Sequence, residues 1–269
     1  MTRRQLIARL AKAGIEDADA EARLLLTHFT GLSSAALLAA PDREFDSPAL
    51  LSAVERRLSH EPLAYVIGEA FFMNERYLVS PDCLIPRADT ERLCELAAAL
   101  LPKNACFADL CTGSGCVAIS LLRLRPDCRA VAYDVSDAAL AIAEKNAILN
   151  GVQDRISFRS ADLLTLDSLG AVFAAILSNP PYIETDVLST LAPEVQREPR
   201  MALDGGRDGL LFYRRFLSHF AKDLEKGGFF LFEIGYDQGN ALVSLAEAAD
   251  FSAKIHKDYG KNDRIAEIR

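Results

Sequence analysis

From residue 106 onward, short apolar runs rich in β-branched and aromatic residues alternate with segments of helical period. No other feature restricts the fold of this chain as much. Residues 106–110, 130–134, 156–159, 172–178 and 229–234 read as strands, and 116–124 and 137–149 as helices between them. Strands that are apolar almost throughout need cover on both faces. Alternation with helices therefore predicts a parallel sheet with crossover connections. Residues 253–256 and 264–268 flank a turn at Gly260-Lys261-Asn262-Asp263 and predict an antiparallel pair at the end of the chain.

The first 60 residues have a different texture. Leu6, Ile7, Leu10 and Ala11 share one face at helical spacing, and Gly14 ends that segment. A second helix carries Ala22, Leu25, Leu26 and Phe29 and stops at Gly31. A third opens near Ser33, and Ser47-Pro48 starts a fourth through Leu51, Val54 and Leu58. Short helices with short loops predict a small bundle. Residues 71–79 are aromatic and β-branched around a polar Asn74-Glu75 tip and read as a hairpin. Three segments follow: a helical domain over 1–64, a hairpin linker over 65–82 and an α/β domain over 83–269.

The first strand of the α/β domain runs into a glycine turn, Asp109-Leu110-Cys111-Thr112-Gly113-Ser114-Gly115, and then into a helix. Asp134 ends the next strand, 19 residues after Gly115. Glycines permit a tight turn and close approach of a ligand, and an acid at the second strand's end accepts from ribose hydroxyls. A dinucleotide and S-adenosylmethionine both suit that pattern. Asp109 favours the latter, because a carboxylate attracts an ammonium or sulfonium and repels a pyrophosphate. Asp162 and Leu163, after the third strand, offer an acceptor for an adenine amino group and an apolar partner for the ring. Asp162 also reads as a plain helix N-cap. Nothing in a nicotinamide-dependent oxidoreductase, the competing enzyme class, calls for the next element.

That element is Asn179-Pro180-Pro181-Tyr182, at the carboxyl end of the fourth strand, where ligands bind in open α/β sheets. Successive prolines restrict the backbone and remove N–H groups, which frees the Pro180 carbonyl to face a substrate. With the Asn179 side-chain oxygen it makes two acceptors for one –NH₂ group. An amide or nucleobase nitrogen is a poor nucleophile. Two convergent acceptors favour the more positive nitrogen that develops as a methyl group arrives. Tyr182 is expected on the flat face of the substrate group. A proline loop opening with an Asx turn is the plainer reading.

Charge separates the possible acceptors. Lys+Arg total 30 against 38 Asp+Glu, a net −8. Residues 1–60 contain eight basic and eight acidic residues, so the excess lies entirely beyond them. Proteins that coat nucleic acid carry basic patches instead, so direct nucleic-acid binding is not expected. No run of about 18 apolar residues predicts a membrane span, and the basic Met1–Arg4 start lacks a signal-peptide apolar stretch, which predicts a cytoplasmic protein. The six cysteines, Cys83, Cys94, Cys106, Cys111, Cys116 and Cys128, include no C-x-x-C and have no histidine among them, so no metal site is expected. They read as free, mostly buried thiols.

Taken in order, these residues resemble the HemK family, the release factor N5-glutamine methyltransferases. The likeness covers nearly the whole chain. Its marks are Glu61 to Gly68, Leu84-Ile85-Pro86-Arg87 with Asp89-Thr90-Glu91, Asp109 to Gly115, Ser178 to Ile183, Glu198 to Gly206 and Phe232-Glu233-Ile234-Gly235. Asn-Pro-Pro-Tyr alone is shared with adenine-N6 methylases, whereas the ordered set is more specific. The resemblance implies a seven-stranded, Rossmann-like class I methyltransferase domain behind a helical domain that contacts the partner. It implies S-adenosylmethionine as methyl donor and the glutamine of the Gly-Gly-Gln loop of a class I release factor as acceptor. By the same likeness Cys111, Thr112, Gly113, Ser114 and Gly115 line the donor's methionine part, Asp134 its ribose and Leu163 its adenine. Asn179 touches both donor and substrate, with Pro180, Pro181 and Tyr182 completing a glutamine pocket. The alternative acceptors are a ribosomal-protein glutamine and, further off, adenine in nucleic acid. The family usually has glycine where Cys111 stands, and a Cβ there predicts a backbone that avoids φ > 0. Ala88-Asp89-Thr90 replaces the usual Pro-Glu-Thr. Arg87 reads either as a substrate-side cation or as a salt-bridge partner of Asp89 or Glu91. A monomer is expected.

Overall fold

The computed structural model describes residues 1–269. It divides into two compact units, Met1–Glu69 with Ala192–Arg197, and Ala70–Leu191 with Glu198–Arg269.

The first unit holds α1 (Arg3–Lys12), α2 (Ala18–Thr30), α3 (Ser34–Ala39), α4 (Pro48–Leu58) and α5 (Leu63–Ile67). Thr2 and Gln5 cap α1 reciprocally, and Gly31 ends α2 at φ 69° in the left-handed region. Leu6, Leu10, Leu25, Leu26, Leu50 and Val54 form its core. The domain boundary expected at 64/65 falls inside α5. The unit also takes in residues 192–197, which no local pattern assigns to it. The tie is electrostatic. Arg57, only 4% exposed, donates to Glu21 at 2.6 Å and to Glu194 at 3.1 Å. His60 Nδ1 lies 3.0 Å from the same Glu194 oxygen, and Arg197 donates to the Ser59 carbonyl at 2.6 Å. A buried guanidinium needs carboxylates around it, and one of the two comes from far along the chain.

The strands β1 (Glu69–Phe72) and β2 (Glu75–Leu78) form a hairpin. Its tip is Met73-Asn74, both left-handed (φ 51° and 62°), one residue earlier than the composition predicted. Next come α6 (Glu91–Leu100), β3 (Cys106–Leu110), α7 (Cys116–Leu124), β4 (Arg129–Asp134), α8 (Asp137–Leu149), β5 (Ile156–Ser160) and β6 (Phe173–Ser178). The chain closes with α9 (Leu211–His219), β7 (Leu224–Glu233), α10 (Gly239–Ala248), β8 (Ala253–Lys257) and β9 (Asp263–Ile268). The helices α5, α9 and α10 were not predicted from the sequence.

The sheet has seven strands in the order β5-β4-β3-β6-β7-β9-β8. All pairs up to β6/β7 are parallel, and β7/β9 and β8/β9 are antiparallel. Phe107 packs with residues of α6, α7 and α8 on one face, and Ala108 with those of α9 and α10 on the other. This explains why the inner strands are apolar throughout. From β3 the chain moves outward to β4 and β5, then returns to place β6 on the other side of β3. The carboxyl ends of β3 and β6 are thus neighbours whose connections diverge, which opens a crevice between them.

Candidate active site

The pairing of Leu110 with Ser178 fixes the crevice, and Ser178 Oγ donates to the Leu110 carbonyl at 2.7 Å. One residue further along each strand begin the glycine turn and the Asn179 loop. Two elements far apart in sequence therefore face one space.

The turn is held from below and from the side. Asp109 is 1% exposed and lies away from the cavity, contrary to its expected place against a ligand cation. Its carboxylate accepts from the Thr112 hydroxyl at 2.6 Å and from Ala118 N at 3.3 Å, so it braces the turn and the start of α7. Burial pushes its pKa up to about 7 against those two hydrogen bonds. Asp134 accepts from Gly113 N at 2.8 Å and from Ser136 N at 3.0 Å and lines the cavity, and burial raises its pKa as well. Gly113 is left-handed with open space where a Cβ would stand. Gly115 has another purpose, since a Cβ there would lie 2.8 Å from Ile119 and 3.1 Å from Ala143. It admits close helix packing and lines neither cavity.

Cys111 overturns its expectation. Its φ is 57°, in the left-handed region that its Cβ disfavours. The neighbouring constraints, Thr112 N on the Tyr133 carbonyl at 3.0 Å and Gly115 N on the Thr112 carbonyl at 2.8 Å, set the backbone regardless of the side chain.

The crevice encloses a cavity of ≈ 550 Å³. Cys111, Gly113 and Asp134 form one wall, Asp162 and Leu163 another, and Asn179 and Pro181 the rim on the β6 side. That volume is typical for a small-molecule site. One Asp162 oxygen accepts from Leu164 N at 2.9 Å, so this residue closes its own turn and caps no helix. Thr112 and Ser114 line a smaller space beside Arg87 and Thr90, and Asn179 borders both. A nucleoside-bearing methyl donor fits these residues: a carboxylate at the end of β4, an apolar wall at Leu163 and a bare glycine backbone between them.

At the β6 end, Asn179 Nδ2 donates to the Thr90 hydroxyl at 3.1 Å, which leaves Oδ1 as the acceptor not used by that bond. Pro180 is buried. Tyr182 differs from its expected place on the substrate face. It packs against the core beneath β7, and its hydroxyl donates to Glu233 Oε1 at 3.3 Å. Glu233 is 1% exposed, and burial raises its pKa to about 7 while Thr90 and Arg264 pull it back.

Other supports carried no local signal. Gly205 packs directly on the Tyr182 backbone, and Gly205 N donates to the Ile183 carbonyl at 2.8 Å. Gln238 donates to the Tyr182 carbonyl at 3.0 Å. Glu198, buried, accepts from Ile85 N at 3.0 Å and from Arg87. Arg87 is therefore bound to Glu198. Asp89 faces Arg264 at 3.4 Å, and Glu91 accepts from Met73 N at 2.7 Å. The run Glu198 to Gly206 stood out only by likeness, because its partners lie far away in sequence.

Residues 2–68 match the PrmC N-terminal domain family, and residues 93–227 match the methyltransferase small domain family. A release factor glutamine methyltransferase of Cereibacter sphaeroides is 40% identical over 99% of this chain and 96% of its own length. That of Moorella thermoacetica is 39% identical over 97% and 94% respectively. Among solved structures, a ribosomal protein L11 methylase of Lactobacillus delbrueckii aligns at TM-score 0.50 and 22% identity, covering 68% of this chain and 79% of that one, which is a likeness of fold.

Proposed function

We infer function from family: the chain belongs to the release factor glutamine methyltransferases and is an S-adenosylmethionine-dependent protein-glutamine methyltransferase. The acceptor we assign is the side-chain amide nitrogen of the glutamine in the Gly-Gly-Gln loop of a class I release factor. The observation that carries this reading is the position of Asn179. It stands on the shared border of the two spaces, at the end of the strand beside the glycine turn.

S-adenosylmethionine, when bound, supplies a methyl group activated by the adjacent sulfonium. Asp134, steadied by Gly113 N and Ser136 N, accepts from the ribose hydroxyls. Leu163 packs on the adenine, and the second oxygen of Asp162 is open to its amino group. Gly113 lets the methionine part lie against bare backbone. Asp109 acts from beneath, by holding Thr112 and the start of α7.

Asn179 Oδ1 and the Pro180 carbonyl accept the two N–H groups of the glutamine amide. Both acceptors gain strength as the nitrogen turns positive, so they stabilise the transition state more than the ground state. As the N–C bond forms, the methyl–sulfur bond breaks and its electron pair stays on sulfur, so the leaving group is a neutral thioether, and the extra proton then leaves the nitrogen to water. No strong base is needed. Pro181 walls the pocket, and Tyr182 fixes the loop through Glu233. The helical unit supplies a protein-docking surface, and the reaction belongs to the cytoplasm, where translation terminates.

The test is mass spectrometry of a recombinant release factor incubated with enzyme and donor. One methyl-for-hydrogen gain on the Gly-Gly-Gln peptide is expected, and Asn179→Ala should abolish it while the protein stays folded. An unmodified peptide with the wild-type enzyme would sink the assignment.

A further inference from the structure

We propose that Glu233 is a positioning residue for the acceptor amide: acting through Thr90, it holds the Asn179 side chain with its NH₂ turned inward, so that Oδ1 is the atom offered to the substrate. The proposal rests on the glutamine-amide reading above.

An asparagine amide is nearly symmetric in shape and opposite in polarity at its two ends. Turning it over exchanges an acceptor for a donor at almost no steric cost. A substrate –NH₂ meeting Asn179 Nδ2 would bring donor against donor. Something must therefore fix which end faces the pocket, and Thr90 is the residue in contact. It is 1% exposed and its hydroxyl accepts from Asn179 Nδ2 at 3.1 Å. A hydroxyl could equally donate to Oδ1 of a turned amide. What decides between the two is where its own proton goes.

Glu233 is the acceptor assigned to that proton. It is the last residue of β7, and the Thr90 hydroxyl favours its charged form. Its Oε1 accepts from Tyr182, while Oε2 is fully buried and has no hydrogen-bond partner. In its charged form, a buried carboxylate short of donors draws the nearest hydroxyl proton. Once Thr90 donates to Glu233, its oxygen faces Asn179 as an acceptor only, and the Asn179 NH₂ must turn toward it. Glu233 thus reaches two residues of the Asn179–Tyr182 loop, Tyr182 directly and Asn179 by relay. Thr90 lies 89 residues before Asn179, so no local pattern links the three.

The full-length protein tests this with Thr90→Val, Thr90→Ser, Glu233→Met and the Thr90→Val/Glu233→Met double variant. Removing one preorganised hydrogen-bonding group typically costs on the order of 100-fold in kcat, so Thr90→Val should lose about 10- to 100-fold, with donor Kd by calorimetry unchanged. Thr90→Ser keeps the hydroxyl and should recover most of the rate. Because both residues act through one relay, the double variant should be no slower than the slower single one. Losses that multiply would show that Glu233 does not act through Thr90. A substrate-free readout runs in parallel: in protein labelled with ¹⁵N-asparagine, the Asn179 side-chain NH₂, identified by its loss in Asn179→Ala, should be protected from exchange in the wild type and in Thr90→Ser and exposed in Thr90→Val. Equal protection in wild type and Thr90→Val would overturn the proposal whatever the activity. A wild-type enzyme that leaves release factor unmodified refutes the substrate assignment, and the amide signal still decides the positioning.

Discussion

Gly205→Ala is the sharpest probe of how the Asn179–Tyr182 loop is held. A Cβ at Gly205 would lie 2.7 Å from Tyr182 Cα and 2.8 Å from both the Pro181 carbonyl oxygen and the Tyr182 carbonyl carbon. All three are backbone atoms. Carbon–carbon contacts relax near 3.5 Å, so the two segments must part by roughly 0.8 Å. Neither yields alone, because Gly205 N donates to the Ile183 carbonyl and Ile183 N to the Leu203 carbonyl. Overpacking of this kind costs about 1–3 kcal/mol. The effect on chemistry is larger, since a displacement of about 1 Å in positioned groups can cost on the order of 100-fold. We expect kcat to fall about 10- to 100-fold with donor affinity retained. Gly151→Ala is the control in the same unit. Its φ is 68° and nothing lies within 4 Å of its Cβ position, so only left-handed strain of about 1 kcal/mol arises. Urea unfolding and single-turnover methyl transfer on both variants separate stability from positioning. If Gly205→Ala keeps wild-type turnover, or if Gly151→Ala loses as much, the steric account is refuted.

Two further expectations concern the glycine turn. Asp109 is neutral in the folded protein up to about pH 7 because burial opposes its charge, whereas the unfolded chain ionises it from about pH 4. Its contribution to stability is therefore complete below pH 4 and lost as pH rises to about 7. The unfolding free energy of wild type relative to Asp109→Asn should fall by up to a few kcal/mol across that window and level off above it; a flat difference in urea titrations would contradict this. At Cys111, with φ 57°, glycine should be more stable than alanine by about 1 kcal/mol, the reverse of the order expected for ordinary backbone. Urea midpoints of Cys111→Gly and Cys111→Ala measure the sign, and an alanine variant that is the more stable would exclude the left-handed turn.

Features that depend on local period and backbone restriction were legible in the amino-acid order. Alternating strands and helices predicted a parallel sheet with crossovers, and β3, α7 and α8 lie where their apolar periods place them. The glycine turn and Asn179-Pro180-Pro181-Tyr182 were legible because each needs special residues at fixed spacing at a strand end. Tertiary structure decided everything that depends on a partner far along the chain. Asp109 and Asp134 are both acids at the ends of neighbouring strands, yet one is turned under the loop and the other into the cavity. Tyr182 has its hydroxyl on Glu233, 51 residues later, and Arg57 gathers Glu194 from 137 residues away. Cys111 takes a backbone that its side chain disfavours, in a turn whose next residues are tied by Thr112 N to the Tyr133 carbonyl and Gly115 N to the Thr112 carbonyl. Buried polar groups must find partners, and which carboxylate or hydroxyl satisfies which donor is chosen by where the strands cross. Period and spacing hold no record of that choice.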